Sequence, residues 1–156
     1  MRTGHSLLAM TLAVSLLSIP IRSGHALEDT PPVRTIPGSE PGVHADVLSL
    51  KRTEGGLLTL RIAFANETGG EIKNKAFPGG GWVEKIALFD FVHKRKYSVL
   101  STSDGACLCT TLNPLTSSPP GTRVLWAKFP APPASVTRVS LMFPEEEPVD
   151  DVPIGQ

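Results

Sequence analysis

The sequence predicts an all-β fold: an antiparallel β-sandwich of about seven strands, each set off by turns. Three observations lead there. Leu58, Leu60, Ile62 and Phe64 alternate with Thr59, Arg61 and Ala63, and a period of two is the mark of a strand with one buried face. The chain holds 14 glycines and 15 prolines, which cut its apolar runs into short pieces. No long stretch repeats apolar residues at three- and four-residue spacing, as an amphipathic helix would.

Residues 1–26 read as a secretory signal peptide. Arg2 gives a positive start, Leu7 to Ile19 carry no charge, and Pro20 breaks the run. Gly24 and Ala26 then supply the small residues of a cleavage site. The apolar run falls short of the roughly 20 residues that a membrane span needs, so no membrane span is expected once the leader is cleaved. Cleavage after Ala26 leaves 130 residues with 13 Lys+Arg and 15 Asp+Glu, a net charge of 13 − 15 = −2. One domain is expected at that length. The near-neutral balance excludes a nucleic-acid footprint, which needs a strongly basic face, and gives no polybasic attraction to anionic membranes.

Residues 27–42 hold Pro31, Pro32, Pro37 and Pro41 and are expected to form an extended or disordered leader. The sandwich itself is expected over residues 43–156. Residues 43–52 form the first strand, with Asp46, Leu48 and Leu50 on one face. Glu54-Gly55-Gly56 is a turn, and the alternating run after it completes a hairpin. Asn66-Glu67-Thr68 fits the N-glycosylation triplet and would then lie on a surface loop. Residues 71–75 read as a short edge strand. Gly79-Gly80-Gly81 lacks the Lys-Ser/Thr pair and following helix of a phosphate loop.

Residues 82–91 predict a third long strand with Ile86 and Leu88 inward. His93-Lys94-Arg95-Lys96 is a basic hairpin tip leading into Tyr97, read first as a solvated turn and second as a small anion or partner contact, with too few cations for nucleic-acid binding. Asp104-Gly105 is turn chemistry, and residues 113–121 are a Pro-rich loop. Residues 122–129 and 135–143 are strands, the latter with Val139, Leu141 and Phe143 on one face. An acidic tail follows, with a short edge strand near residues 152–154; acid and proline there blunt sheet-edge association. This number and spacing of strands suggests an immunoglobulin-like sandwich.

Cys107-Leu108-Cys109 is the sharpest chemical feature, and these are the only two cysteines. An exported chain meets an oxidising compartment, so a disulfide between them is the first reading. Residues i and i+2 of a flat strand sit near the upper limit of the Cα separation a disulfide allows, and a bulge or turn at Leu108 would bring them closer. Intermolecular pairing and free or redox thiols compete with it. So does a soft-metal site for copper(I) or zinc, using Cys107 and Cys109 with His93. Zinc wants four ligands, and beyond the cysteines only His44, His93 and Met142 are obvious donors. No catalytic constellation is visible. Nucleophilic catalysis needs a base beside the nucleophile, yet His44 opens a strand and His93 sits at a loop tip. No Gly-x-Ser-x-Gly elbow is present. No cofactor and no enzymatic activity are expected.

From Val47 to Ile154 the chain resembles small secreted immunoglobulin-like domains of bacterial cell envelopes. The resemblance lies in Leu58-x-Leu60-x-Ile62-x-Phe64-x-Asn66, in Asp90 with Tyr97 seven residues on, and in Asp104-Gly-x-Cys107-Leu-Cys109. It continues in Trp126-Ala-Lys-Phe129-Pro-Ala-Pro-Pro and Asp151-Val-Pro-Ile154. Such domains occur alone, as lipoproteins, or joined to peptidoglycan-binding modules; this sequence shows neither a lipid-anchor cysteine nor a second module. The resemblance implies a fold and a place, secreted or periplasmic, and no reaction. The expectation is a monomeric, non-enzymatic envelope domain that binds or caps another envelope protein through a sheet edge or loop face. The alternative is a periplasmic metal handler using Cys107, Cys109 and His93.

Overall fold

The computed structural model describes residues 31–38, 40–73, 83–111, 117–118, 121–144 and 146–156. The signal-peptide segment, the triple glycine, Trp82 and most of the Pro-rich loop lie outside them. The described chain is all-β. Its strands are β1 (Arg34–Pro37), β2 (Val43–Thr53), β3 (Leu57–Asn66), β4 (Ile72–Lys73), β5 (Ala87–Asp90), β6 (Arg95–Ser98), β7 (Ser117–Ser118), β8 (Gly121–Pro130), β9 (Arg138–Met142) and β10 (Val149–Pro153). Two antiparallel four-stranded sheets, ordered β1-β2-β3-β8 and β10-β9-β5-β6, accompany a two-stranded β4-β7 pair.

β3 forms because its alternation offers one wholly apolar face. Leu58, Leu60, Ile62 and Phe64 are all buried on it. Across the ladder, Leu60 faces Leu50 of β2 and Ala127 of β8, while Leu58 faces Phe129. The β2–β3 turn needs left-handed backbone at Gly55 and Gly56, with φ of 77° and 73°, a region that glycine enters at little cost. The second sheet adds Leu88, Val139, Leu141, Val149 and Val152, and both sheets share one hydrophobic cluster. A shared core between two sheets is consistent with a β-sandwich.

Two segments stitch the sheets together at their margins. Beyond β10, the Gly155 N–H donates to the Leu50 carbonyl at 2.8 Å and the Arg52 N–H donates to the Gly155 carbonyl at 2.9 Å. The end of the second sheet is thereby tied to β2 of the first. Beyond β6, the Leu100 and Thr110 N–H groups donate to the Lys128 and Trp126 carbonyls, and the Lys128 N–H donates to the Leu108 carbonyl. These bonds cover the free edge of β8. Arg52 holds a third junction: its guanidinium donates to the carbonyls of Pro132 (2.8 Å), Pro133 (3.0 Å) and Val136 (3.0 Å). It thus clamps the extended Pro-rich link between β8 and β9.

Several expectations need correction. The stretch read as an extended or disordered leader contains β1, which pairs with β2 from Arg34↔Val47 to Pro37↔His44. Ile36 inserts into the core and makes ordering worthwhile. In β2 a bulge between Val47 and Ser49 puts Ala45, Val47 and Leu50 inward and turns Asp46 outward. Leu48 is the residue that the bulge takes up. The long strand expected over residues 82–91 is a 3-10 turn, Val83–Lys85, followed by the four residues of β5. Val83 and Ile86, both buried, are three residues apart, the repeat of one 3-10 turn. An Arg52→Met variant keeps the apolar stem but takes the guanidinium from three carbonyls, of which Pro133 keeps the Val136 N–H. We expect urea denaturation to show a loss of about 2 kcal/mol.

Candidate functional site

The cysteine pair sits where the chain crosses from one sheet to the other. Cys107 bridges to Ser101, and Cys109 bridges to Ala127 of β8. The turn before them is built by local bonds: the Thr102 N–H donates to the Ala106 carbonyl and the Gly105 N–H to the Thr102 carbonyl. The Thr102 hydroxyl donates to Asp104. That bond, helped by backbone N–H groups and opposed by slight desolvation, holds the Asp104 carboxyl below its ordinary range. The two sulfurs lie at disulfide distance, and the Cα atoms are 5.3 Å apart. Cys109 is buried in the shared core and Cys107 packs against it. By strand alternation Leu108 lies on the opposite face.

His93 is not brought to the cysteines. It lies in the turn between β5 and β6, at the far end of β6 from the Cys107 crossing. There Asp90, only 3% exposed, accepts from the His93 backbone N–H at 3.1 Å and meets His93 Nδ1 at 2.6 Å. Burial alone would raise the Asp90 carboxyl. The hydrogen bonds from His93, its charge and the Val92 backbone outweigh burial and hold it below the usual carboxylate range. His44 is on the outer face of β2, 3.6 Å from Asp46. Among the described residues, no group of three or more His, Cys, Asp or Glu is placed to hold a metal.

Asn66 is not a surface acceptor. It is 1% exposed; its Nδ2 donates to the Gly70 carbonyl, and its Oδ1 accepts from the Thr68 N–H and hydroxyl. The triplet is a loop-closing device after β3, and a glycan on Nδ2 would break it. Tyr97 packs against the core, with a buried hydroxyl that has no hydrogen-bond partner among the described residues.

The feature that sequence reasoning passed over is the outer face of the first sheet. Trp126 is 39% exposed there, opposite Arg61 of β3, with its backbone N–H bonded to the Thr110 hydroxyl. Val124 and Leu108, both half-buried, lie on the same face by alternation, as does Lys128. The signal was present: Trp126 falls in the outward phase of a strand whose inward phase is Leu125, Ala127 and Phe129. A tryptophan in that phase is an apolar side chain that the domain's own core does not claim.

Searches against protein-family models, curated proteins and solved structures each found no match. Among the described residues no helix is long and apolar enough to cross a membrane.

Two outcomes follow from this geometry. Replacing both cysteines with serine should cost about 1.6 kcal/mol, the chain-entropy value for a three-residue loop, and leave the fold intact by circular dichroism. Intact mass should show the native chain lighter by two hydrogens than its reduced form. For Asp90, a lowered folded-state pKa means stability that is present above the ordinary value of 3.8 and lost as pH falls through the folded value. Asp90→Asn should therefore unfold at lower urea than the wild type at neutral pH, and the gap should close as pH falls below that point.

Proposed function

We propose that the chain is an exported, non-enzymatic domain of the cell envelope, an immunoglobulin-like sandwich that binds another envelope protein. The observation that carries the reading is Trp126, 39% exposed on a rigid four-stranded sheet beside Val124, Leu108 and Lys128. Tryptophan dominates the energetics of protein interfaces when it stands on a preformed surface, and a partner that covers it gains a large apolar contact at little conformational cost. Support for export comes from the leader pattern of residues 1–26 and from two cysteines held at disulfide distance, which suits an oxidising compartment. The reading differs from the sequence expectation in its surface, a sheet face in place of a sheet edge or loop face. The margin of β8 and the part of β2 beyond its pairing with β1 are already bonded to residues 100–110 and to Gly155.

The test is capture from the native envelope fraction with the full chain as bait. The wild type should retain a protein that Trp126→Ser retains at least about tenfold less well, with both baits melting alike. Equal retention by the two would remove Trp126 from any interface. N-terminal sequencing of the exported form should begin at Leu27.

A further inference from the structure

The turn between β5 and β6 exposes two consecutive apolar side chains, Phe91 at 65% and Val92 at 86%. Both are far more exposed than Trp126, and they sit at the apex of a hairpin instead of on a sheet face. The chain does not leave them there through looseness. Asp90 caps the turn through two contacts with His93. The Phe91 ring stacks on Phe89 with centroids 5.8 Å apart, and Lys96 Nζ lies 5.8 Å from the Phe89 ring centre. Lys94 takes left-handed backbone, φ 54°, which closes the turn.

Cations follow the apolar apex at once. Lys94, Arg95 and Lys96 are all exposed. Asp151, which lines a shallow pocket with Phe91 and Val92, is engaged by Arg138 at 2.6 Å, and Asp90 is buried under the turn. Local charge at the tip is therefore positive, although the chain as a whole has a formal charge of +0.

We propose that this tip docks on an anionic phospholipid surface, with Phe91 and Val92 entering the boundary between headgroups and acyl chains while Lys94, Arg95 and Lys96 meet the phosphates. The cations beside the exposed Phe91 and Val92 complement anionic headgroups, and a deformable bilayer can close around both. Apolar insertion and cationic attraction add in that geometry. The inference is independent of the Trp126 face.

The test is co-sedimentation of the full chain with vesicles of equimolar phosphatidylglycerol and phosphatidylcholine, against vesicles of phosphatidylcholine alone. Comparison among variants of the same full chain makes any contribution of the apolar run at Leu7–Ile19 common to all. The wild type should bind the anionic vesicles at least about tenfold better, and about 0.5 M salt should weaken that preference. Phe91→Ser with Val92→Ser should cut binding more than about tenfold. Lys94→Asn, which suits left-handed backbone, and Arg95→Gln should each cost about fivefold on anionic vesicles alone. Phe91→Trp should add fluorescence that shifts to the blue with anionic vesicles, and Trp126→Ser should bind them as the wild type does. Equal binding to both vesicle types, or full binding by the Phe91/Val92 double variant, would overturn the proposal. So would loss of a captured envelope protein by the double variant without any vesicle binding, which would make the tip a protein contact.

Discussion

The alternation of β3 is the constraint on which the rest of the molecule depends. This strand pairs along its full length with β2 on one side and β8 on the other. Its inward residues Leu58, Leu60, Ile62 and Phe64 therefore set the register of three strands together. A slip of one residue in either ladder would carry a whole apolar set to solvent. That penalty makes the register unambiguous. The bulge in β2 is accommodated within it: Leu48 is taken up between Val47 and Ser49, and both flanking stretches still present their apolar residues inward.

Around that frame, the sheets are closed by segments that are not strands of their own. The crossing that contains Cys107 and Cys109 covers β8, and the chain beyond β10 covers part of β2. Unpaired sheet edges invite association with other chains, and these coverings remove much of that liability. Two surfaces among the described residues are of contrasting kinds. One is a flat sheet face with an exposed indole, and the other is a capped hairpin apex with an apolar point and a cationic flank. Their chemistries differ enough to suit different partners.

How much of this could be read in advance depended on whether neighbours along the chain carried the information. The β2–β3 hairpin was legible because period two and a Glu-Gly-Gly turn are local signals. The inward positions of Ile86, Leu88, Val139, Leu141 and Phe143 were legible for the same reason, as was the disulfide-distance pair at Cys107 and Cys109. The β1 strand was not: its prolines suggested a leader, and only the place for Ile36 in a core built from distant residues orders it. Residues 82–91 misled because Val83 and Ile86 are both buried, and either a strand or a 3-10 turn can bury two apolar residues. Asn66 looked like an acceptor for sugar because a triplet does not show where its amide points. The outward exposure of Trp126 and Phe91 was not legible because exposure is a property of the finished surface. The immunoglobulin-like topology inferred from strand spacing is a finer statement than two four-stranded antiparallel sheets and one core.

The tie between Gly155 and β2 also has a temporal side. Leu50 and Arg52 are made about a hundred residues before the backbone that satisfies them. A chain synthesised from its amino end therefore holds β2 with part of one margin open until Gly155 arrives. Until then a partly built sheet must be kept from pairing with its neighbours, by a chaperone or by speed. Long-range closures of this kind slow folding, because the chain between them must be brought to order first.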